Sequence, residues 1–169
     1  MLALHTNWGD IELTLYADKS PKTVENFLRY AKSGFYAGTI FHRVIDNFMI
    51  QGGGFKSNLL RVKPTRATIK NEASNGLKNL AYTIAMARTM APHSANSQFF
   101  INVADNDFLD YSAPIENGWG YCVFGQVTAG RDVIDRIKTV ATTTRNGYKD
   151  VPKQEVFIER VSIFDQPSQ

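Results

Sequence analysis

Leu2-Ala3-Leu4-His5-Thr6-Asn7-Trp8-Gly9-Asp10-Ile11-Glu12-Leu13-Thr14-Leu15-Tyr16 is the stretch from which the fold can be read. Leu2 and Leu4 alternate with Ala3 and His5, and Ile11, Leu13 and Leu15 alternate with Glu12, Thr14 and Tyr16, on either side of the turn-forming run Asn7 to Asp10. A period of two puts every second side chain on one face, so the stretch predicts a β-hairpin with a single apolar face that must be buried.

Outward from the hairpin, the period changes once. Ser20 is a good N-cap and Pro21 suits the first helical position, and Val24, Phe27, Leu28 and Ala31 recur at helical spacing until Gly34 ends the helix. Strand-like runs then return at Thr39 to Val44, Phe48 to Gln51, Leu80 to Met86, Phe99 to Val103, Tyr121 to Val127 and within Val156 to Phe164, with turns at Asn75-Gly76 and Asn117-Gly118. A second helix is expected from Arg131 to Lys138, where Val133, Ile134 and Ile137 form an apolar stripe. Eight or so strands with two helices predict a mainly β fold, a closed antiparallel eight-stranded β-barrel capped by two α-helices, with a sandwich as the alternative. The turn-rich segments Lys56 to Leu77 and Ala104 to Gly120 should be ordered loops that shape a binding face.

A chain of 169 residues, 43% of them hydrophobic, buries enough apolar surface for one domain over 1–169 without metal or disulfide support. The single cysteine, Cys122, sits in a strand-like run and reads as a packed small hydrophobe. Met1 to His5 lacks the charged and apolar regions of a signal peptide, and no run approaches the roughly 20 apolar residues that span a bilayer, so a cytoplasmic, non-membrane protein is expected. The net charge is +3, from 19 basic and 16 acidic residues that are interspersed, which gives no nucleic-acid footprint.

Several chemistries lack their residues. Gly52-Gly53-Gly54-Phe55-Lys56-Ser57 departs from a phosphate loop because Phe55 separates glycine from lysine and no helix pattern follows. His5, His42 and His93 are far apart and have no ligand spacing, so no metal is expected. Neither a serine elbow nor a reactive context for Cys122 supports nucleophilic catalysis. What stands out is the pair Phe99-Phe100: neighbours on a strand face opposite sides, so one must point out of the core. Arg43 and Phe41 are expected on one strand face, and Met49 and Gln51 on another, which could gather a guanidinium, a thioether and an amide around the exposed phenylalanine as a peptide site.

The run F-H-R-V-I-D-N-F-M-I-Q-G-G-G-F, Phe41 to Phe55, resembles the signature of cyclophilins; Met86-Ala87 with Ser97-Gln98-Phe99-Phe100-Ile101, and Val123-Phe124-Gly125, match two further family blocks. The resemblance runs from Leu2 to Phe164 and is to the small bacterial cytoplasmic members. It implies a peptidyl-prolyl cis-trans isomerase that works without covalent steps or cofactor on proline-containing polypeptides and assists their folding. It also implies that Arg43 and Gln51 are catalytic and that Phe48, Met49, Ala87, Arg88, Phe100, Phe108, Leu109 and Tyr121 bind substrate, with Ala87 and Arg88 pairing with the extended peptide. Phe108 stands where the family usually has tryptophan and Tyr121 where it usually has histidine, so binding of a cyclosporin-type ligand is expected to be weak. The alternative is a proline-peptide binder or holdase with little turnover; a nucleic-acid-binding barrel lacks the interleaved basic and aromatic residues it needs.

Overall fold

The computed structural model describes residues 1–164. The strands are β1 (Leu2–Thr6), β2 (Gly9–Leu15), β3 (Arg43–Ile45), β4 (Met49–Gly52), β5 (Phe55–Lys56), β6 (Leu60–Arg61), β7 (Thr83–Met86), β8 (Phe99–Asn102), β9 (Val123–Ala129), β10 (Thr142–Arg145), β11 (Tyr148–Pro152) and β12 (Ile158–Ile163). The helices are α1 (Pro21–Lys32) and α2 (Arg131–Ile137). Eight strands form one antiparallel sheet in the order β12-β1-β2-β9-β7-β8-β4-β3, while β5-β6 and β10-β11 are separate two-stranded ribbons.

The sheet is curled around a core built from its inward side chains. Leu2, Leu4, Ile11, Leu13, Ile84, Phe99, Ile101 and Phe124 are all fully buried there. From α1, Phe27 enters the same core and meets Phe99 edge-on at 5.5 Å, Phe124 at 5.0 Å and Tyr36 at 5.1 Å. Full burial of one such side chain contributes about 1.5–3 kcal/mol, so the aromatic cluster anchors α1 to the sheet. On α2 the expected stripe Val133, Ile134 and Ile137 is buried.

The mainly β expectation holds, but the ladder is not continuous around a closed barrel. The edge strands β3 and β12 do not pair with each other. Instead, irregular chain just before β3 meets the start of β12. The Gly38 amide donates to the Ile158 carbonyl at 2.7 Å, Ile158 donates to Thr39 at 2.8 Å, and Phe41 donates to Val156 at 2.7 Å. The expected strand Thr39 to Val44 therefore shrinks to Arg43–Ile45. This also corrects the expectation that Phe41 and Arg43 share a face: alternation begins only at β3, and Phe41 lies in the interior with Val44 and Ile50.

Ser20 stands at the start of α1 but does not cap it through its side chain. Its hydroxyl donates to the Val123 carbonyl at 2.8 Å, and the open amide of Thr23 is satisfied by the Glu72 carboxylate at 2.7 Å. A distant anion thus takes over the role expected of a local hydroxyl, in the place where the helix dipole favours negative charge. The hairpin β10-β11 was not anticipated. Its turn residues Asn146 and Gly147 have φ of 52° and 80°, the left-handed pair that a tight two-residue hairpin turn requires.

Candidate active site

The outward face of the sheet carries a second, smaller apolar cluster of Met49, Ala85, Phe100, Leu109 and Val123. Phe99 and Phe100 are divided between the two faces as strand geometry requires, Phe99 inward and Phe100 outward, and Phe100 is only 4% exposed because loops cover it. Cross-strand register builds the rest. Arg43 stands opposite Gln51, Gln51 opposite Phe100, and Phe100 opposite Ala85, so the three ladders β3-β4, β4-β8 and β8-β7 set these four residues in one row across the sheet.

Over this row lies a cavity of about 140 Å³. Arg43, Phe48, Met49, Gln51 and Ala87 line it, together with Arg88, Phe100, Leu109 and Tyr121. Nine of the ten residues expected from the sequence are therefore together. The tenth, Phe108, lies outside the lining: it is 70% exposed and packs against Phe48 with ring centroids 5.7 Å apart. The reason is local, since the single 3-10 turn Asp107–Leu109 turns Leu109 inward and leaves its neighbour outside.

Arg43 supplies the charge. Its guanidinium donates to Gln51 Oε1 at a long 3.4 Å and lies 5.9 Å from the centre of the Phe48 ring. Among the described residues it forms no ion pair. Most of its five N–H donors thus have no partner among the described residues. Gln51 in turn donates to Gln98 Oε1 at 3.1 Å, which holds its amide in place.

Arg88 lines the cavity, but its guanidinium is bonded within the protein. Its Nε donates to the Gly120 carbonyl at 2.9 Å, its Nη1 to the Thr89 carbonyl at 2.9 Å, and its guanidinium lies 4.5 Å from the centre of the Tyr121 ring. The side chain is engaged in pinning the Tyr121 wall. The Ala87 amide is also occupied, donating to the Gln98 carbonyl at 3.0 Å. Gln98, just before β8, was missed in the sequence, and its side chain is tied to the site by its bond to Gln51. The clue is Gly54, where a Cβ would come within 2.5 Å of the Gln98 side chain. The glycine run that superficially resembled a phosphate loop is therefore a packing device, with Gly53 at φ 88° turning the chain and Gly54 making room for Gln98.

His42 precedes Arg43 but turns away from the cavity, 5% exposed, with its ring centroid 4.4 Å from that of Phe55. Burial, with the Arg43 charge second, lowers its pKa to about 4, so the ring is neutral at ordinary pH. Cys122 is buried and its thiol is pushed up by that burial, as expected of a packed rather than reactive cysteine.

Residues 1–163 match the family model described as cyclophilin type peptidyl-prolyl cis-trans isomerase/CLD. The chain belongs to the cyclophilin-type peptidyl-prolyl cis-trans isomerases. Peptidyl-prolyl cis-trans isomerase B of Escherichia coli K12 is 58% identical over 163 residues, covering 96% of this chain and 99% of that protein. Peptidyl-prolyl cis-trans isomerase cyp18 of Streptomyces antibioticus is 58% identical over 160 residues, covering 95% and 96%. A crystal structure of a Cryptosporidium parvum cyclophilin type isomerase in the presence of the dipeptide Ala-Pro superposes with a TM-score of 0.79 at 26% identity, covering 98% of this chain and 99% of that one. This cyclophilin is thus an enzyme of Xaa-Pro bonds, and the cavity above Phe100 is the candidate place for its chemistry.

Proposed function

We propose that Arg43 donates to the proline nitrogen of a substrate held in the cavity above Phe100. The observation that carries this reading is the row Arg43, Gln51 and Phe100, which sets an unpaired guanidinium beside an apolar floor. Amide resonance opposes rotation with a barrier of roughly 18–20 kcal/mol, and no bond need form or break to cross it. When the amide twists, the nitrogen regains its lone pair, so a donor aimed at it gains strength only on the way to the transition state. Arginine suits the task because it stays charged and presents its N–H groups as a fixed fork. Gln51, tethered to Gln98, steadies that fork.

Phe48, Met49, Phe100 and Leu109 form the proline pocket in this reading, with Tyr121 as a wall and Arg88 holding that wall. Ala87 contributes a small side chain, and about three buried methylenes of the proline ring yield roughly 2 kcal/mol of binding. Phe100→Ala should raise KM for an Ala-Pro peptide about tenfold and change kcat little, because truncation removes pocket floor and leaves Arg43 in place. A loss confined to kcat would contradict the role.

Phe108 sits at the outer end of the same surface and has no N–H to offer. A missing hydrogen bond costs about 0.5–1.5 kcal/mol, and an unsatisfied ligand carbonyl raises this towards 3 kcal/mol. Phe108→Trp should therefore tighten inhibition by cyclosporin roughly tenfold to a hundredfold while peptide turnover stays close to that of the native protein. Equal inhibition of both proteins would remove Phe108 from the ligand surface.

In this reading the bonds between 38–41 and 156–158 close the barrel, 1–169 is one domain, of which 165–169 lie outside the described residues, and the enzyme assists the folding of client chains in the cytoplasm. Its decisive test is catalysis of proline-limited refolding by the purified protein, since the uncatalysed step takes tens of seconds.

A further inference from the structure

Three buried asparagines lie behind the cavity. Asn79, Asn102 and Asn106 are 1%, 0% and 3% exposed. Each primary amide brings two N–H donors and a carbonyl out of water, and leaving one such group unpaired costs about 1–3 kcal/mol, so a cluster of three must be arranged to satisfy itself.

Asn102 is the centre of that arrangement. It lies on β8 two residues beyond Phe100, on the same outward face, and opposite Met49 across the β4-β8 ladder. Its Nδ2 donates to Asn79 Oδ1 at 3.1 Å and to Thr83 Oγ1 at 3.0 Å, and its Oδ1 accepts from Asn106 Nδ2 at 2.8 Å. The partners carry the network outward. Asn106 Nδ2 also donates to the Phe48 carbonyl at 2.8 Å, and Asn79 Nδ2 reaches the carbonyls of Leu109 and Tyr121, each at 3.2 Å. The Asn106 amide donates to the Asn79 carbonyl at 2.8 Å, which joins the two arms directly.

The carbonyls of Phe48, Leu109 and Tyr121 belong to three separate stretches of chain, and none of these residues lies in a strand. All three end on one buried network, and all three line the cavity. Arg43 and Gln51 lie outside it, bonded instead toward Gln98. The proline-side walls and the catalytic donor are thus supported by two independent sets of bonds.

We propose that Asn102 is a positioning residue of the isomerase, which sets Phe48, Leu109 and Tyr121 at the spacing that accepts proline; this rests on the assignment of the cavity as the proline pocket. Loss of its amide loosens the walls and leaves the donor intact, so the effect falls on substrate binding. With an Ala-Pro peptide as probe, Asn102→Leu raises KM about tenfold and keeps kcat within about twofold. Thr83→Val is the control: it removes one bond to Asn102 and touches no wall, so it lowers stability and leaves KM unchanged. Asn106→Ala, which leaves the Phe48 carbonyl with the Val103 amide at 3.0 Å but without its side-chain donor, and leaves Asn102 bonded to Asn79 and Thr83, raises KM in the same direction and carries the test if Asn102→Leu does not fold.

Unchanged KM in a folded Asn102→Leu, a loss in kcat alone, or an equal rise of KM in Thr83→Val would each overturn the proposal; for a variant set without folded Asn102→Leu, unchanged KM in Asn106→Ala does so. Phe100→Ala in the same assay separates the two levels. If it too leaves KM unchanged, the pocket assignment has failed; if it raises KM and the asparagine variants do not, only the role of Asn102 has.

Discussion

Arg43→Ala lowers kcat/KM for peptide isomerisation at least about a hundredfold, equivalent to about 2.7 kcal/mol of transition-state stabilisation, while the thermal unfolding midpoint hardly moves. The two halves of this expectation have separate grounds. The rate should fall because, of the two cations in the lining, Arg43 makes one long hydrogen bond whereas Arg88 is held by Gly120 and Thr89. Stability is spared because Arg43 is half-buried, unpaired with any described carboxylate and bonded to the fold only by a long contact to Gln51. Arg43→Lys should fall between the two, since a point charge replaces a rigid fork. Steady-state kinetics and a melting curve on the same samples decide the matter. Near-native turnover in Arg43→Ala would remove the donor from the mechanism.

The second large effect is on acid stability and comes from His42. Its pKa in the fold is about 4, against an ordinary value of 6.5. Above pH 6.5 the ring is neutral in both the folded and the unfolded chain, and its burial costs nothing in proton binding. Between pH 6.5 and 4 only the unfolded chain takes up the proton, so stability falls as pH falls; below pH 4 both forms bind it and the loss is complete. The total is about 3 kcal/mol at roughly 1.4 kcal/mol per pH unit. Nothing offsets this cost nearby: Nδ1 is buried without a partner, Phe55 faces the ring, and the adjacent charge is the cation Arg43. Urea unfolding at pH 7 and pH 4 should show that His42→Leu lacks about 3 kcal/mol of the native protein's acid-induced loss. An identical loss in both proteins would show that His42 protonation does not drive it. The proposed mechanism uses no titrating acid or base, so activity should stay nearly flat from about pH 6 to 9, a range whose lower edge alone reaches the onset of the His42 effect.

Much of the architecture was legible because it depends on local periodicity. The alternation at Leu2 to Tyr16 became β1 and β2, and the spacing of Val24, Phe27 and Ala31 became the buried face of α1. The pattern failed where a contact distant in sequence took over. Ser20 looked like a cap by its position, but Glu72 reaches the helix from a loop 49 residues away from Thr23. The strand expected from Thr39 shortened because its first residues bond to Val156 and Ile158 instead of continuing the ladder. The hairpin β10-β11 is a different case, since its Asn146-Gly147 turn is itself a local signal.

The sequence by itself determined the class of fold, the family and most of the residues that line the candidate cavity. Side-chain alternation alone required Phe99 and Phe100 to face opposite ways, because that follows from the geometry of any strand. Only the tertiary structure decided which of them faced inward, and which residues stood beside the other. Arg43, Gln51, Phe100 and Ala85 are brought into one row by three antiparallel registers, and a slip of one residue in any of them would turn a member of the row to the opposite face. The commitment of Arg88 to Gly120, the outward position of Phe108 and the asparagine network around Asn102 are likewise products of loops meeting across long stretches of chain. Such meetings leave no period in the sequence, because their partners are set by packing and by the need to pair every buried polar group.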